Sequence, residues 1–272
     1  MFSEILKAVR STQPLVHNIT NYVTVNDVAN AVLAVGASPI MADDKDEVEE
    51  ITALCSALNV NIGTLNRRTI ESMFIAARKA AGLGKAMVLD PVGAGASRLR
   101  TDTAARLLEA APFGLVRANM SEVKAIAGAG ASTKGVDADV TDAVTEASLE
   151  QSVAFAKAFA AGHHCTVAIT GAIDLVADEA HCFVIRNGVP QMSRITGTGC
   201  QLSAVAAAFT ASWPNRTEAA AAAVCAMGVA GEVALSRMQP GDGNATLRCR
   251  IIDALYNMTG DELERGARYD RR

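Results

Sequence analysis

Short apolar runs alternate with longer amphipathic stretches along this 272-residue chain. Residues 86–89 are all apolar and end at Asp90-Pro91, which is typical of a buried parallel strand. Residues 71–81 show the apolar spacing of a helix and stop at Gly82. Such segments continue to alternate at intervals of roughly 20 to 30 residues, which predicts an α/β protein with a mostly parallel sheet.

The same pattern predicts individual elements along the chain. Predicted strands cover 15–17, 38–41, 59–62, 86–89, 115–116 and 166–169, with a hairpin of 175–178 and 182–185 at the sheet edge. Predicted helices cover 23–35, 48–58, 71–81, 103–110, 121–126 and 149–161, and most of 201–258. Residues 127–142 are expected to form a loop and residues 260–272 to fray. No linker divides the chain, so 1–272 is expected to form a single domain.

Composition narrows the classes of partner. The net charge is −4 and only 4% of residues are aromatic, which disfavours nucleic acid as a partner. The six cysteines are spread singly and form no CxxC pair, which gives a zinc or redox site little support. The apolar run 219–233 is interrupted by Glu232 and predicts a buried helix, so no membrane contact is expected. We therefore expect a cytoplasmic protein with reduced thiols.

The segment Gly197-Thr198-Gly199-Cys200 carries the strongest chemical signal. It follows a predicted strand and connector and precedes an apolar run at 202–209 that predicts a buried helix. Glycines at a helix start leave backbone N–H groups free and let an anion approach closely, so these four residues are a candidate anion hole. A capped tight turn is the structural alternative. Cys200 adds a reactive side chain at the same place, which is the outline of a phosphoryl-transfer site.

Polar residues also follow several predicted strands, where ligands bind in open α/β sheets. Asp90 is a candidate Mg²⁺ ligand or a loop cap, and Glu122 is a second carboxylate for the same ion. Asn119 is either a helix N-cap with Glu122 at N3 or part of a ligand site. Arg117 would brace a nucleotide phosphate or be a surface charge. The remaining strand-end residues are Asn18, Thr20, Asn21, Asp43, Asn61, Thr64 and Thr170.

Two common nucleotide motifs are absent from the sequence. Gly93-x-Gly95 lacks the third glycine of a dinucleotide fingerprint, and no GxxxxGK[ST] is present. Met41 would line a substrate pocket or fill the core.

Six segments in this order resemble the hydroxyethylthiazole kinase family of the ribokinase-like superfamily. The resemblance runs from about Val16 to the helix after Cys200. The segments are Val16-His17-Asn18-Ile19-Thr20-Asn21, Ser38-Pro39-Ile40-Met41-Ala42, Asn61-Ile62-Gly63-Thr64-Leu65, Leu89-Asp90-Pro91-Val92-Gly93-Ala94-Gly95, Asn119-Met120-Ser121-Glu122 and Gly197-Thr198-Gly199-Cys200.

The resemblance implies a three-layer α/β/α fold and a reaction. The family transfers the γ-phosphate of ATP to the hydroxyl of 5-(2-hydroxyethyl)-4-methylthiazole with Mg²⁺, in homotrimers whose active sites lie between subunits. It implies the following roles: Met41, Gly197, Asn18 and Asn61 for the thiazole, Arg117, Thr170 and Asn119 for ATP, Asp90 and Glu122 for Mg²⁺, and Cys200 for catalysis.

The mechanism expected from these residues places the phosphoryl group on the backbone N–H groups of 197–200. Cys200 would accept or orient the proton of the alcohol, with its pKa lowered by the helix terminus. The alternatives are a hydroxymethylpyrimidine or pyridoxal kinase of the same superfamily, a dehydratase for damaged nicotinamide cofactors, and a non-catalytic thiazole-binding protein.

Overall fold

A computed structural model describes residues 1–129 and 143–272 of the chain. In this part of the chain one sheet of nine strands has the order β2-β1-β3-β4-β5-β6-β7-β8-β9. The strands are β1 Leu15–Ile19, β2 Ser38–Ile40, β3 Ala57–Asn61, β4 Ala86–Asp90, β5 Leu115–Asn119, β6 Thr166–Thr170, β7 Asp174–Ala177, β8 Cys182–Ile185 and β9 Tyr269–Arg271. Strands β1 to β6 are parallel to one another, and β7 to β9 add antiparallel pairs.

Helices cover both faces of this sheet. They are α1 Phe2–Thr12, α2 Val25–Ala34, α3 Val48–Leu54, α4 Arg67–Gly82, α5 Arg98–Ala110, α6 Met120–Ala129, α7 Leu149–His163, α8 Thr198–Ser212, α9 Arg216–Ser236, α10 Asn244–Asn257 and α11 Gly260–Gly266. Alternate strand residues enter different cores: Leu115 packs with the first, which includes α8 and α9, and Val116 with the second, which includes α4 and α7. The three-layer α/β/α prediction is confirmed.

The parallel register brings the polar strand ends to one edge of the sheet. Asn18 lies opposite Asn59, and Asn61 lies opposite Asp90. Asn119 lies opposite Thr170 two strands farther along. Because β1 and β3 to β6 are all parallel, the side chains at their carboxyl ends face a common site.

The long helix α9 passes through the protein interior. Among the described residues it alone is long and apolar enough to cross a membrane, and 78% of its apolar window is buried inside the protein. Asn215 caps its first turn by accepting a hydrogen bond from the Glu218 N–H. The prediction of a buried helix for 219–233 is thus confirmed.

Several predicted boundaries are wrong. The helix predicted at 48–58 ends at Leu54, since Cys55 is extended and β3 begins at Ala57. The helical region after 201 is split into α8, α9 and α10 by segments that contain Pro214 and Pro240. Residues 127–129 belong to α6 instead of a loop, and the rest of the loop predicted at 127–142 lies outside the described residues.

The tail predicted to fray is ordered. Thr259 and Glu262 form a capping box at the start of α11, and β9 then pairs with β8 along Ile185↔Tyr269. The N-terminal helix α1, which was not among the predicted helices, packs on this region. The Ser3 N–H of α1 donates to Glu264 at 2.9 Å. Pairing with distant partners orders a segment whose own sequence is charged.

Candidate active site

A buried ion pair lies under the carboxyl ends of the central strands. Arg117 donates from Nη2 to Asp90 Oδ1 at 2.7 Å, and both side chains are almost fully buried. Asn61 and Ser203 each donate to Asp90 Oδ2 at 2.7 Å. Burial alone would lower the pKa of Arg117, and the Asp90 carboxylate raises it above its usual value. The arginine is therefore a fixed buried cation, and the surface-charge alternative is wrong.

The turn before α8 lies directly above this cation. Gly197 has φ +88°, a conformation that favours glycine, and a Cβ there would lie 2.2 Å from Cγ2 of Thr24. A Cβ on Gly199 would lie 2.6 Å from Nη1 of Arg117. None of the described side chains caps α8 at Gly197, and its first turn therefore presents free N–H groups. Helix terminus and buried guanidinium together favour an anion at residues 197–200.

Cys200 sits in the first turn of α8, eight per cent exposed. Asn21 Nδ2 donates to its Sγ at 3.3 Å and also to Asn61 Oδ1 at 3.0 Å. Burial, reinforced by the nearby Asp90 carboxylate, raises the pKa of the Cys200 thiol, and Arg117 only partly opposes this shift. The expectation that the helix terminus lowers this pKa is wrong. Cys200 is a neutral thiol near pH 7 and suits hydrogen bonding better than proton abstraction.

Two cavities lie at the carboxyl ends of the strands, and the first of them reaches this turn. The first has a volume of about 520 Å³, and its walls include Thr170, Thr198 and Gly199. The second, of about 230 Å³, is lined by Asn18, Asn61 and Met41 among others. Cys200 follows Thr198 and Gly199 of the first wall and shares the Asn21 amide with Asn61 of the second. The predicted thiazole residues Asn18, Asn61 and Met41 thus line one space, and the predicted nucleotide residue Thr170 lines the other. The lining of both spaces lacks Arg117, Gly197 and Cys200.

Asn119 and Glu122 show the helix-capping geometry that was one of the two interpretations. Asn119 Oδ1 accepts the Glu122 N–H at 2.9 Å, and Glu122 Oε2 accepts the Asn119 N–H at 2.9 Å. Glu122 Oε1 accepts the Gly93 N–H at 2.7 Å as well. The capping role is confirmed, and the ligand roles of both residues stay predictions. Asn119 lines neither cavity.

The fit of Mg²⁺ depends on the free lone pairs of the two carboxylates. The described residues hold no cluster of three or more His, Cys, Asp or Glu side chains arranged for a metal. Glu122 is 8% exposed, and each of its oxygens accepts one of the backbone bonds above, so further lone pairs remain. Asp90 is fully buried and engaged by three donors. This donor set fits an ion that keeps its waters at Glu122. A direct bond from Asp90 to the ion stays a prediction, because this carboxylate is fully buried.

Three further residues belong to this region although the sequence did not single them out. Ser203 bridges Arg117 and Asp90 from the same helix as Cys200. Thr24 donates to Asn21 Oδ1 at 3.1 Å and orients the amide that reaches Cys200. Asp174 lines the first cavity, and burial raises its pKa to about 7, against the hydrogen bond from the Gly171 N–H. Of these three residues, only Ser203 could have been found from the sequence, because it lies three residues after Cys200 and therefore on the same helix face.

Comparisons with known proteins show the family of the chain. The family model described as the hydroxyethylthiazole kinase family matches residues 6–261. A protein of Clostridium acetobutylicum called hydroxyethylthiazole kinase is 54% identical over 271 residues, covering 99% of each chain.

Solved structures extend the likeness to three dimensions. The hydroxyethylthiazole kinase structure from Pyrococcus horikoshii OT3 has a TM-score of 0.89 and 35% identity over 100% of this chain and 98% of its own. The pyridoxal kinase of Staphylococcus aureus, at TM-score 0.58 and 15% identity over 77% of this chain and 84% of its own, shares the fold alone. The three-layer fold is the ribokinase-like one, and the chain belongs to the hydroxyethylthiazole kinase family.

Proposed function

We propose that this protein transfers the γ-phosphoryl group of ATP to the hydroxyl of 5-(2-hydroxyethyl)-4-methylthiazole, as its relatives are named for doing. The observation that carries this proposal is a pair of cavities near the uncapped start of α8: Thr198 and Gly199 line the first, and Asn61, which shares the Asn21 amide with Cys200, lines the second. The larger space suits a nucleotide and the smaller one a small ring with a short alcohol arm. The first turn of α8, above Arg117, is where a transferring phosphoryl group would be held.

The residue roles follow from the two spaces. Thr170, in the larger cavity, accepts a hydrogen bond from Arg117 and would contact the triphosphate of ATP. Arg117 would act on it from beneath Gly199, and Asn119 from the start of α6. Asn18, Asn61 and Met41, which line the smaller cavity, would position the thiazole alcohol together with Gly197.

Mg²⁺ would be held near Glu122, with Asp90 behind it. When bound, the ion neutralises part of the phosphate charge that develops during transfer. The protein's own share of that work lies with the N–H groups of residues 197–200 and the Arg117 guanidinium.

Transfer needs an alcohol oxygen aligned with the γ-phosphorus. The oxygen forms the new P–O bond while the bond to ADP breaks, and in a loose transition state the alcohol proton leaves late. The neutral Cys200 thiol, fixed by Asn21, would orient that hydroxyl group. Asp90 would hold the Arg117 guanidinium in place and balance its charge.

Cys200→Ala is expected to reduce kcat by about 10²-fold or less, at or below the low end of the usual range for acid–base groups. The reason is that Cys200 orients the alcohol, while the helix terminus that binds the anion is kept. Cys200→Asp is expected to stay active. Steady-state kinetics against Cys249→Ala, an exposed thiol on α10, provide the matched control. Unchanged turnover in Cys200→Ala would assign catalysis to the backbone of the turn alone.

Product formation tests the proposed reaction directly. The protein, ATP and Mg²⁺ are incubated in parallel with the thiazole alcohol, pyridoxal and hydroxymethylpyrimidine, and product masses are checked for one added phosphate. Phosphorylation of the thiazole alcohol with the highest kcat/KM supports the proposal. Preference for either other alcohol would move the assignment to that kinase type, and nucleotide binding with no phosphorylated product would indicate a binding protein or a dehydratase.

We also propose that the protein is a homotrimer with its active sites between subunits. Tyr22 is 77% exposed and Met41 37% exposed, and both line the smaller cavity, while Val23 beside them is 58% exposed. A second copy of the chain would cover these apolar side chains and complete the cavity wall.

Sedimentation equilibrium is expected to give three times the 28.3 kDa mass of the chain. The double variant Tyr22→Asp/Val23→Asp is expected to shift the mass toward that of one chain, because it places charges in the proposed interface. The control is Leu83→Asp, which changes an exposed apolar residue at the end of α4 and should leave the mass unchanged. A monomeric native protein would contradict this proposal. We further propose that the protein is cytoplasmic, which its six free thiols support, and that its partners are ATP and the alcohol.

A further inference from the structure

The C-terminal segment after α11 lies beyond the residues that the family model matches, which end at 261. It reaches the wall of the larger cavity from behind. That wall includes Asn187 and Gly188, in the connection between β8 and the start of α8. Arg268, on the tail, forms the link between the two segments. The hydrogen bonds of Arg268 show how the tail supports the cavity wall.

Glu232 on α9 is the centre of this link. Its Oε1 accepts the Gly188 N–H at 2.7 Å and Asn187 Nδ2 at 3.1 Å. Arg268 donates to both carboxylate oxygens, at 2.9 and 2.8 Å. Burial alone would raise the pKa of Glu232, and these donors lower it. The charged carboxylate of Glu232 therefore connects α9, the cavity wall and the C-terminal tail.

The tail also bonds the wall without Glu232. The Arg268 N–H donates to Asn187 Oδ1 at 2.7 Å, and Asn187 Nδ2 donates in turn to the Gly266 carbonyl at 2.8 Å. Arg268 Nη2 donates to the Arg186 carbonyl at 2.7 Å. The side chain and backbone of Arg268 thus hold Arg186 and Asn187 in place immediately before Gly188.

The opposite side of the wall is fixed by close packing on α9. A Cβ on Gly228 would lie 2.5 Å from Cβ of Asn187, and one on Gly231 would lie 2.3 Å from Sδ of Met192. Gly228, Gly231 and Glu232 share one helix face because they are three and four residues apart. Asn187 and Met192 both line the cavity, so the wall is seated on α9 and held there by the tail.

We propose that Arg268 is a positioning residue for the nucleotide, acting through Glu232 and Asn187 to hold the cavity wall from 187 to 192 against α9. The inference rests on the proposed assignment of the larger cavity to ATP. It predicts an effect on the nucleotide and none on the alcohol, since the wall takes no part in the smaller cavity. It also gives the C-terminal tail a role in the site and not only in the fold.

The test compares nucleotide affinity with alcohol affinity in the full chain. Arg268→Ala is expected to raise both the KM for ATP and the calorimetric Kd of a non-hydrolysable ATP analogue with Mg²⁺ by about tenfold, which corresponds to ~1.4 kcal/mol. The KM for the thiazole alcohol and kcat are expected to stay within about twofold. Arg268→Lys should restore part of the affinity, because its single ammonium reaches Glu232 without the fork of guanidinium donors.

Arg272→Ala is the matched control. It removes an exposed ion pair with Glu150 from the same tail, away from the cavity, and is expected to leave both affinities unchanged. An unchanged analogue Kd in Arg268→Ala would overturn the inference, as would an equal loss of affinity for both substrates. Binding of the ATP analogue to the wild-type protein tests the proposed function separately from the role of Arg268. If the wild type does not bind the analogue, both the proposed function and the inference are wrong. If it does bind, the Arg268 variants test the inference alone.

Discussion

Gly199→Ala is expected to lower kcat by about 10²- to 10³-fold, the range found when a main oxyanion-type donor is lost. The added Cβ would lie 2.6 Å from Nη1 of Arg117, so either the guanidinium or the first turn of α8 must shift. Both changes misplace the groups proposed to hold the transferring phosphoryl. Steady-state kinetics with ATP and the thiazole alcohol measure the effect.

Circular dichroism and thermal unfolding separate this effect from a loss of fold. Gly82→Ala, at the end of α4, is the matched control, because the Cβ built there has no atom within 4 Å apart from its chain neighbours and the backbone of its own helix turn. It is expected to keep full activity. A Gly199→Ala protein that is folded and has wild-type kcat would show that the turn tolerates a side chain and is not the anion hole.

Arg117→Met is expected to lower the free energy of unfolding by about 3–5 kcal/mol, since it leaves the Asp90 carboxylate buried without its charge partner. Asn61 and Ser203 still donate to Asp90 but carry no charge. Urea denaturation measures the change. Arg98→Ala, which breaks an exposed pair with Asp102, is expected to cost less than about 1 kcal/mol.

The double variant Arg117→Met/Asp90→Asn refines this result. Removing both charges is expected to recover much of the stability, although activity should stay low because the cation beneath Gly199 is gone. A single Arg117→Met variant as stable as the wild type would contradict the buried-pair interpretation.

Much of the fold could be predicted because apolar runs and polar strand ends are local signals. The central strands and the antiparallel hairpin follow directly from those runs. The strand Tyr269–Arg271 could not be predicted, because it is three exposed residues long and is defined by its pairing with β8. The start of β3 was missed for a related reason: a short apolar run next to a helix fits either period.

The site shows the same division between local and distant information. The turn before α8 and the strand-end polar residues are evident from the sequence. The bond from Arg117 to Asp90 is not, since it depends on which way side chains of neighbouring strands face. The raised pKa of Cys200 was missed because sequence shows the helix terminus but not the burial that outweighs it.

The strand order has a consequence for how the protein is assembled during synthesis. From β4 to β8, each strand pairs with the strand made just before it, so the growing sheet can extend at one edge as the chain emerges. β9 is different, because α8, α9, α10 and α11 are all made before it reaches its partner β8. Closing so large a loop comes late in folding. The segment that carries Arg268 would therefore be the last to dock, and a ribosome-bound chain would have its sheet largely built before the wall of the larger cavity is held in place.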